Sequence, residues 1–315
     1  MWCAQASRVR TIIGLLLVVC APPDVTARAA MAQGAADPSD LIRQARRFNS
    51  EGNQDAALAL YRQVLARSPD LFDAHLGAGI ALDLLARYKE ARQHFATAIE
   101  LSPDATKNLA LTAMAISYAF GANAKQSAAF YRQVFDRQMA AQDAAAAAET
   151  ANALGRVYLE SGDTDKAFTW YQTGHETSRR QSNVPGEQLD LWDLRWAHAQ
   201  ARIAARRGNS REARRQVDVV KALLDKGTNP EQQIQYPYLV GYVDLFLKDY
   251  QGAIAELQHA DQTDPFVLSL LARAYERADD WNHAAERYRQ VLASNAHSLN
   301  NAFARPLALR MLKSK

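Results

Sequence analysis

Histidine is the side chain best suited to metal binding or to proton transfer near neutral pH. No two histidines of this chain are three or four residues apart, so no two share one face of a helix, as a local zinc site requires. The pattern favours histidines scattered over the surface or along a groove edge, with a site assembled from distant helices as the alternative. The seven are His75, His94, His175, His198, His259, His283 and His297.

Three carboxylates, Glu187, Asp190 and Asp193, cluster beside Trp192 and Trp196. Acidic residues are common in the first turn of a helix, where the helix dipole stabilises negative charge. The cluster therefore predicts the start of a helix rather than a pair of catalytic acids.

Common catalytic and cofactor motifs are missing from the sequence. It contains no glycine-rich phosphate loop, no paired cysteine motif, no His-Glu-x-x-His and no Gly-x-Ser-x-Gly. We therefore predict no catalytic residue, no metal site and no cofactor. The 37 basic and 34 acidic residues give a formal net charge of +3. This balance argues against nucleic-acid binding, which requires a concentrated basic excess.

The N-terminal residues resemble an export signal. Arg8 and Arg10 precede an apolar run from Thr11 to Ala21, and small residues follow from Ala27 to Ala32. The run is shorter than the roughly 20 residues that cross a bilayer. We predict a signal peptide and cleavage region over residues 1–32 and a periplasmic or secreted protein.

Cys20 supports an alternative, a lipoprotein anchored to the membrane through this residue. Val19 argues against it, because bacterial lipoprotein signals usually have Gly, Ala or Ser before the modified cysteine. The other cysteine is Cys3, so cleavage after Ala32 leaves a chain without cysteine. Such a chain needs no thiol chemistry in an oxidising compartment.

Small and aromatic residues recur along the chain at fixed spacing, which indicates repeated helical units. Small residues recur at Ala57 and Ala91, aromatic residues at Tyr61 and Phe95, and a third copy contains Gly155. Small residues let two helices approach closely, and aromatic residues fill the space between neighbouring helix pairs. The full pattern comprises Phe48, Gly52, Ala57, Tyr61, Val64 and Pro69; Gly79, Ala91, Phe95, Ala98 and Pro103; and Leu154, Gly155, Tyr158, Gly162, Asp163, Ala167 and Tyr171.

This pattern resembles the tetratricopeptide repeat (TPR) family, and weaker copies follow further along the chain. The resemblance implies an all-α fold, a right-handed α-solenoid of about seven TPR-like helix-turn-helix units with a C-terminal capping helix. The predicted boundaries are 38–181 for units one to four, 182–190 for a turn-rich insertion, 191–296 for units five to seven, and 297–315 for the capping helix and basic tail.

In this family the first helix of each pair lines the concave face, so the resemblance places a basic and aromatic groove there. The implied residues are Asn152, Arg156, Arg195, His198, Arg202, Arg206, Tyr238, Tyr242, Arg273 and Arg277. Such a groove binds carboxylates or other anionic groups through charge-assisted hydrogen bonds. In the alternative interpretation, the arginines are solvated or paired with neighbouring acids.

Some members of the family bind peptide C-termini with a two-carboxylate clamp of Lys and Asn. This chain has Ile42 and Arg46 in the first unit, and Leu76 and Ile80 in the second, at the relevant places. The clamp is therefore not predicted. Leu76, Ile80 and Leu84 instead form an apolar patch suited to an extended segment or the N-terminal helix.

The predicted function is a non-catalytic scaffold or adaptor in the cell envelope, which binds an unknown peptide segment or protein surface in the groove. The alternative is an enzyme or ligand-sensing subunit whose site is assembled across distant repeats. Self-association by end-to-end stacking is a third hypothesis. A membrane tether is expected only if Cys20 is lipidated.

Overall fold

The structure is a computed structural model that describes residues 37–180 and 183–314. The predicted signal peptide, Cys3 and Cys20 lie outside the described residues. Within them the chain forms fifteen α-helices, one short 3-10 helix (Pro230–Ile234) and no strand. The α-helices are α1 (Pro38–Ser50), α2 (Gln54–Leu65), α3 (Phe72–Leu84), α4 (Tyr88–Leu101), α5 (Asp104–Phe120), α6 (Ala124–Ala140), α7 (Ala144–Ser161), α8 (Thr164–Ser178), α9 (Gly186–Arg206), α10 (Ser210–Asp225), α11 (Gln235–Phe246), α12 (Tyr250–Leu257), α13 (Pro265–Arg277), α14 (Trp281–Leu292) and α15 (Leu299–Lys313).

Consecutive helices pack as seven pairs, from α1–α2 to α13–α14, and α15 follows the last pair. The predicted all-α solenoid is confirmed. No helix in the described ranges is both long and apolar enough to cross a membrane.

Turns within the pairs share one local design. In every pair except the second, an Asn or Asp caps the second helix by accepting a hydrogen bond from a backbone N–H, and the residue before it has a positive φ. The cap satisfies an N–H that the helix leaves without a partner. The capping residues are Asn53, Asn123, Asp163, Asn209, Asp249 and Asp280.

Glycine allows the two helices of a pair to approach closely, as the repeat pattern predicts. A Cβ atom at Gly79 would lie 2.6 Å from Cε1 of Phe95, and one at Gly155 would lie 2.7 Å from Cδ2 of Tyr171. Both aromatic rings are buried. Each ring therefore occupies the space that a larger residue at the glycine position would need.

Residues 186–190 of the predicted insertion are helical, because α9 begins at Gly186 and continues to Arg206. Residues 183–185 form the short connection before it. Here the structure differs from the expected break over 182–190. The acidic cluster at Glu187 lies in the first part of α9, as its pattern predicts.

Helix α15 packs against more than the last pair. It contacts α13 and α14, as expected of a cap, and it also contacts α5 in the third pair. Ala302 and Phe303 of α15 join a buried cluster with Ile80 and Leu84. Part of the apolar patch predicted on α3 thus belongs to the same buried cluster as residues of the C-terminal helix.

Polar contacts connect this C-terminal region to the first two pairs. Gln54 Nε2 donates to Asn295 Oδ1 over 3.0 Å, and Asn295 Nδ2 donates to the Ser50 carbonyl. Arg305 Nε donates to the Leu84 carbonyl over 3.0 Å. The segment around α15 therefore joins the two ends of the helical array.

Candidate binding site on the inner face

Two cavities lie between the first helices of the pairs and α15. The smaller, of about 350 Å³, is bounded by α7, α8, α9, the 3-10 helix, and the starts of α11 and α15. Five of the groove residues predicted from the sequence line it: Asn152, Arg156, Arg195, His198 and Arg202. Helix pairs that are distant in the sequence thus contribute to one site.

Arg195 is the neutralised cation of the smaller cavity. Its guanidinium forms an ion pair with Glu149 on α7 and lies 4.9 Å from the ring centre of Trp192. At this position the structure supports the interpretation that a groove arginine pairs with a neighbouring acid.

Arg202 is a buried cation without a carboxylate partner among the described residues. Only 5% of its surface is exposed. Nη2 donates to the Tyr171 hydroxyl over 3.1 Å, and Nε donates to the His198 carbonyl over 3.4 Å. Its guanidinium also lies over the Tyr171 ring, 5.4 Å from the centroid. Neutral groups therefore make all of its direct contacts.

Arg156 has even fewer polar contacts. Its guanidinium stacks over the ring of Phe266, 4.4 Å from the centroid. Its Nε is buried and has no acceptor within the described part of the chain. Arg156 and Arg202 thus give the cavity two positive charges that no ion pair balances.

His198 lines the same cavity as these two arginines. Burial, reinforced by the nearby charges of Arg202 and Arg156, holds the pKa of His198 well below its usual value. Its Nε2 is buried without a partner in the described residues. The imidazole is therefore neutral near pH 7 and adds no third positive charge.

The larger cavity, of about 580 Å³, is more apolar. Arg206 and Arg273 both pack over Phe246, at 4.5 and 5.2 Å from the ring centroid. Glu160 is 3.4 Å from Arg206 and accepts a hydrogen bond from Tyr242. The other lining residues are Ala119, Phe120, Ala122, Ala124, Val157, Ser161, Phe266, Ser269, Ala302, Phe303, Pro306, Leu307 and Arg310.

Two segments match models of the family described as tetratricopeptide repeat, at residues 49–115 and 267–301. They cover the first helix pairs and the last. The chain is a tetratricopeptide repeat protein. None of the curated proteins compared with its sequence matches it.

Solved structures of low sequence identity share the fold of this TPR protein. A tetratricopeptide repeat protein from Parabacteroides merdae has a TM-score of 0.52 at 11% identity, covering 86% of this chain and 98% of its own. A putative kinesin light chain from Podosopora anserina, with nearly identical TPR-like repeats, has a TM-score of 0.50 at 16% identity, covering 61% and 99%. Aspartyl phosphate phosphatase F from Bacillus subtilis has a TM-score of 0.59 at 8% identity, covering 85% and 72%. At these identities the likeness concerns the fold alone.

Three predicted groove residues of the TPR protein do not line either cavity. Tyr238 and Tyr242 are 6% and 0% exposed, because their rings pack in the core with Phe266 and other residues of the last two pairs. Arg277 is exposed in the last turn of α13. Family positions locate a side chain on a helix face, but they do not show whether a large ring packs inward.

Several of the histidines and two acids of the cluster contact side chains outside their own helix, although their spacing in the sequence does not indicate this. His75 Nδ1 lies 3.0 Å from His94 Nδ1, and His175 pairs with Asp193. Asp190 accepts from Lys226 over 2.6 Å. The described residues contain no group of three or more side chains suited to a metal ion.

Sequence reasoning missed several residues of the inner site in this TPR protein. Glu149 and Glu160 supply the acids, and Leu299 and Asn300 bring the start of α15 to the smaller cavity. The two acids lie on α7, three residues before Asn152 and four residues after Arg156, so helical spacing could have placed them on the same face of the helix as these predicted groove residues. No pattern in the sequence indicated that α15 reaches this cavity.

Proposed function

We propose that this protein is a non-catalytic scaffold in the cell envelope that holds a peptide segment or a protein surface against its inner face. TPR proteins bind other proteins or peptides. The observation that carries the proposal here is the charge imbalance of the inner face, where Arg156 and Arg202 have no carboxylate partner among the described residues. A partner that presents an anionic group complements this surface.

Helix α15 limits the route by which a partner reaches this face. It contacts α5 and α13, and its first residues border the smaller cavity. A partner therefore enters through the cavity openings and touches α15, or it displaces α15. A whole folded domain does not fit into either cavity, so an extended segment or a protruding loop is the expected form of the partner.

A second candidate is a ligand-sensing subunit. The smaller cavity is built by the fourth and fifth pairs together with the 3-10 helix and the starts of α11 and α15, which agrees with a site assembled across distant repeats. Its volume of about 350 Å³ lies in the range of small-molecule sites. Retention of a small molecule by the purified protein would favour this candidate.

The proposal is tested by affinity capture from an envelope fraction with the wild-type protein and the Arg156→Glu, Arg202→Glu variant. The matched control is Arg132→Glu, Arg211→Glu, which makes the same change in net charge at exposed residues that line neither cavity. Circular dichroism confirms that each variant is folded. A partner captured by the wild type and the control, but lost by the inner-face variant, supports the scaffold. Equal capture by all three proteins argues against the inner face.

Location in the envelope is part of the proposal and is tested separately. The intact mass of the mature protein distinguishes cleavage near Ala29 or Ala32 from lipidation at Cys20. Recovery of an unprocessed chain would contradict both forms of export.

A further inference from the structure

We propose that the smaller cavity binds a carboxylate between Arg156 and Arg202, carried by a small organic acid or by the free C-terminus of a peptide. The inference rests on the proposed function, because it names the chemical group that the inner face recognises.

The first argument is the state of the two guanidinium groups. A charge buried away from water is costly unless a counter-ion or sufficient hydrogen bonds compensate it. Arg202 is 5% exposed, and its two hydrogen bonds go to a phenol and a backbone carbonyl. Arg156 rests on Phe266, and its Nε has no acceptor in the described ranges. Both side chains line the cavity, so an anion there would contact two cations that have no ion-pair partner among the described residues.

The second argument is that the neighbouring acids are already engaged. Glu149 pairs with Arg195, and Glu160 contacts Arg206 and the Tyr242 hydroxyl. Asp264 accepts from Asn300 Nδ2 over 2.6 Å and from a backbone N–H in the first turn of α13. Glu160 and Asp264 therefore act on Arg202 and Arg156 only over longer distances, and no described acid near the cavity forms an ion pair with either arginine.

The third argument concerns the type of anion. A guanidinium offers two parallel N–H donors that match the two oxygens of a carboxylate. Carboxamide side chains also line the cavity, and each provides a donor and an acceptor. Such a lining suits an organic molecule with amide or hydroxyl groups better than a bare inorganic anion. The carboxamides that line the cavity are Asn152, Gln232, Gln235 and Asn300.

This arrangement differs from the two-carboxylate clamp of other TPR proteins. The clamp positions in this chain are occupied by Ile42, Arg46, Leu76 and Ile80. The present cavity instead uses the fourth and fifth pairs with the 3-10 helix and the start of α11, and the start of α15 forms one wall. The two arginines and that wall are properties of this chain.

The test is isothermal titration of the full-length protein with defined probes: glutarate, a tripeptide with a free C-terminus, the same tripeptide with an amidated C-terminus, and inorganic phosphate. We expect at least one free carboxylate to bind, and both the amidated peptide and phosphate to bind at least about tenfold more weakly. Binding of glutarate alone identifies a small organic acid as the source, whereas binding of the free peptide alone identifies a C-terminus.

Arg156→Met is the decisive variant, because the methionine retains an apolar contact with Phe266 and removes the charge. It should weaken carboxylate binding about tenfold or more. The matched control is Arg132→Met, which removes a cation at an exposed residue that lines neither cavity. It should change binding less than about threefold. Equal loss in both variants, unchanged binding in Arg156→Met, or no binding of any carboxylate overturns the inference.

The failure of this inference is distinguishable from failure of the scaffold. If affinity capture yields a partner that Arg156→Met binds as well as wild type does, the carboxylate site is wrong and the scaffold stands. If a carboxylate binds but no partner is captured, the scaffold is wrong and the site stands.

Discussion

His297 donates a hydrogen bond from Nε2 to Oδ2 of Asp83 over 2.9 Å, although 214 residues separate them in the sequence. The side chains are 7% and 0% exposed. The His297 ring packs near Phe95 and Phe120, and Asp83 also accepts from the Ser117 hydroxyl over 2.9 Å. One buried contact thus connects the second and third pairs to the segment that leads into α15.

Removing the histidine should weaken the whole array. His297→Ala leaves the buried Asp83 carboxylate with Ser117 as its remaining side-chain partner, so we expect a loss of about 3 kcal/mol in the free energy of unfolding. Urea denaturation measures it. The control is His283→Ala, which breaks an exposed pair with Asp280 and should cost about 1 kcal/mol or less. Equal losses in the two variants would contradict a special role for the buried contact.

Asp83 should make the free energy of unfolding depend on pH. Burial raises the pKa of Asp83 above its usual value, against the opposing hydrogen bonds and charge of His297 and the hydrogen bond of Ser117. The folded state therefore binds more protons than the unfolded state between pH about 4 and the raised pKa. The contribution of Asp83 protonation to the free energy of unfolding is full below pH about 4 and is lost as the pH rises towards the raised pKa. The unfolding free energy of wild type minus that of Asp83→Asn should fall across this window, and an increase would refute the assignment.

His198 should remain neutral where a free histidine becomes protonated. Burial, with Arg202 and Arg156 nearby, lowers the pKa of His198 well below 6.5. We expect no titration of its ring between pH 8 and 6 in carbon–proton NMR spectra, with the signal assigned from His198→Gln. In urea the same ring should titrate near pH 6.5. Because the pKa of His198 is lower in the folded state than in the unfolded state, its contribution to the free energy of unfolding is full above pH about 6.5 and is lost as the pH falls. Titration near 6.5 in the folded protein would exclude the buried environment.

Gly79 should tolerate no side chain, although alanine favours helices. A Cβ atom at Gly79 would lie 2.6 Å from Phe95, whose ring is fully buried. We expect Gly79→Ala to lower the free energy of unfolding by about 1–3 kcal/mol through overpacking. Gly186→Ala is the matched control, since nothing lies within 4 Å of its added Cβ, and its effect should stay within about 0.5 kcal/mol. A stabilised Gly79→Ala protein would disprove the close approach.

The helix pairs could be predicted because their information is local and repeated. Gly79 and Phe95, and Gly155 and Tyr171, occur at family spacing, and the structure brings each pair into contact. Part of the inner face was predictable for the same reason, since Arg156 and Arg202 lie on the first helix of their pairs. Whether each side chain is paired, stacked or buried depends on neighbours from other repeats, so Tyr238 and Tyr242 were placed in the groove although they lie in the core.

The sequence by itself determined the number of helix pairs, their turns and their small and aromatic contacts, because each depends on residues close together in the chain. Only the tertiary structure decided where α15 lies and which charges of the inner face remain unpaired. Those outcomes follow from contacts such as Arg305 with Leu84 and His297 with Asp83, whose partners are more than 200 residues apart and are brought together by the packing of the whole array. A short repeat pattern does not predict which residues far apart in the chain come into contact when the pairs stack.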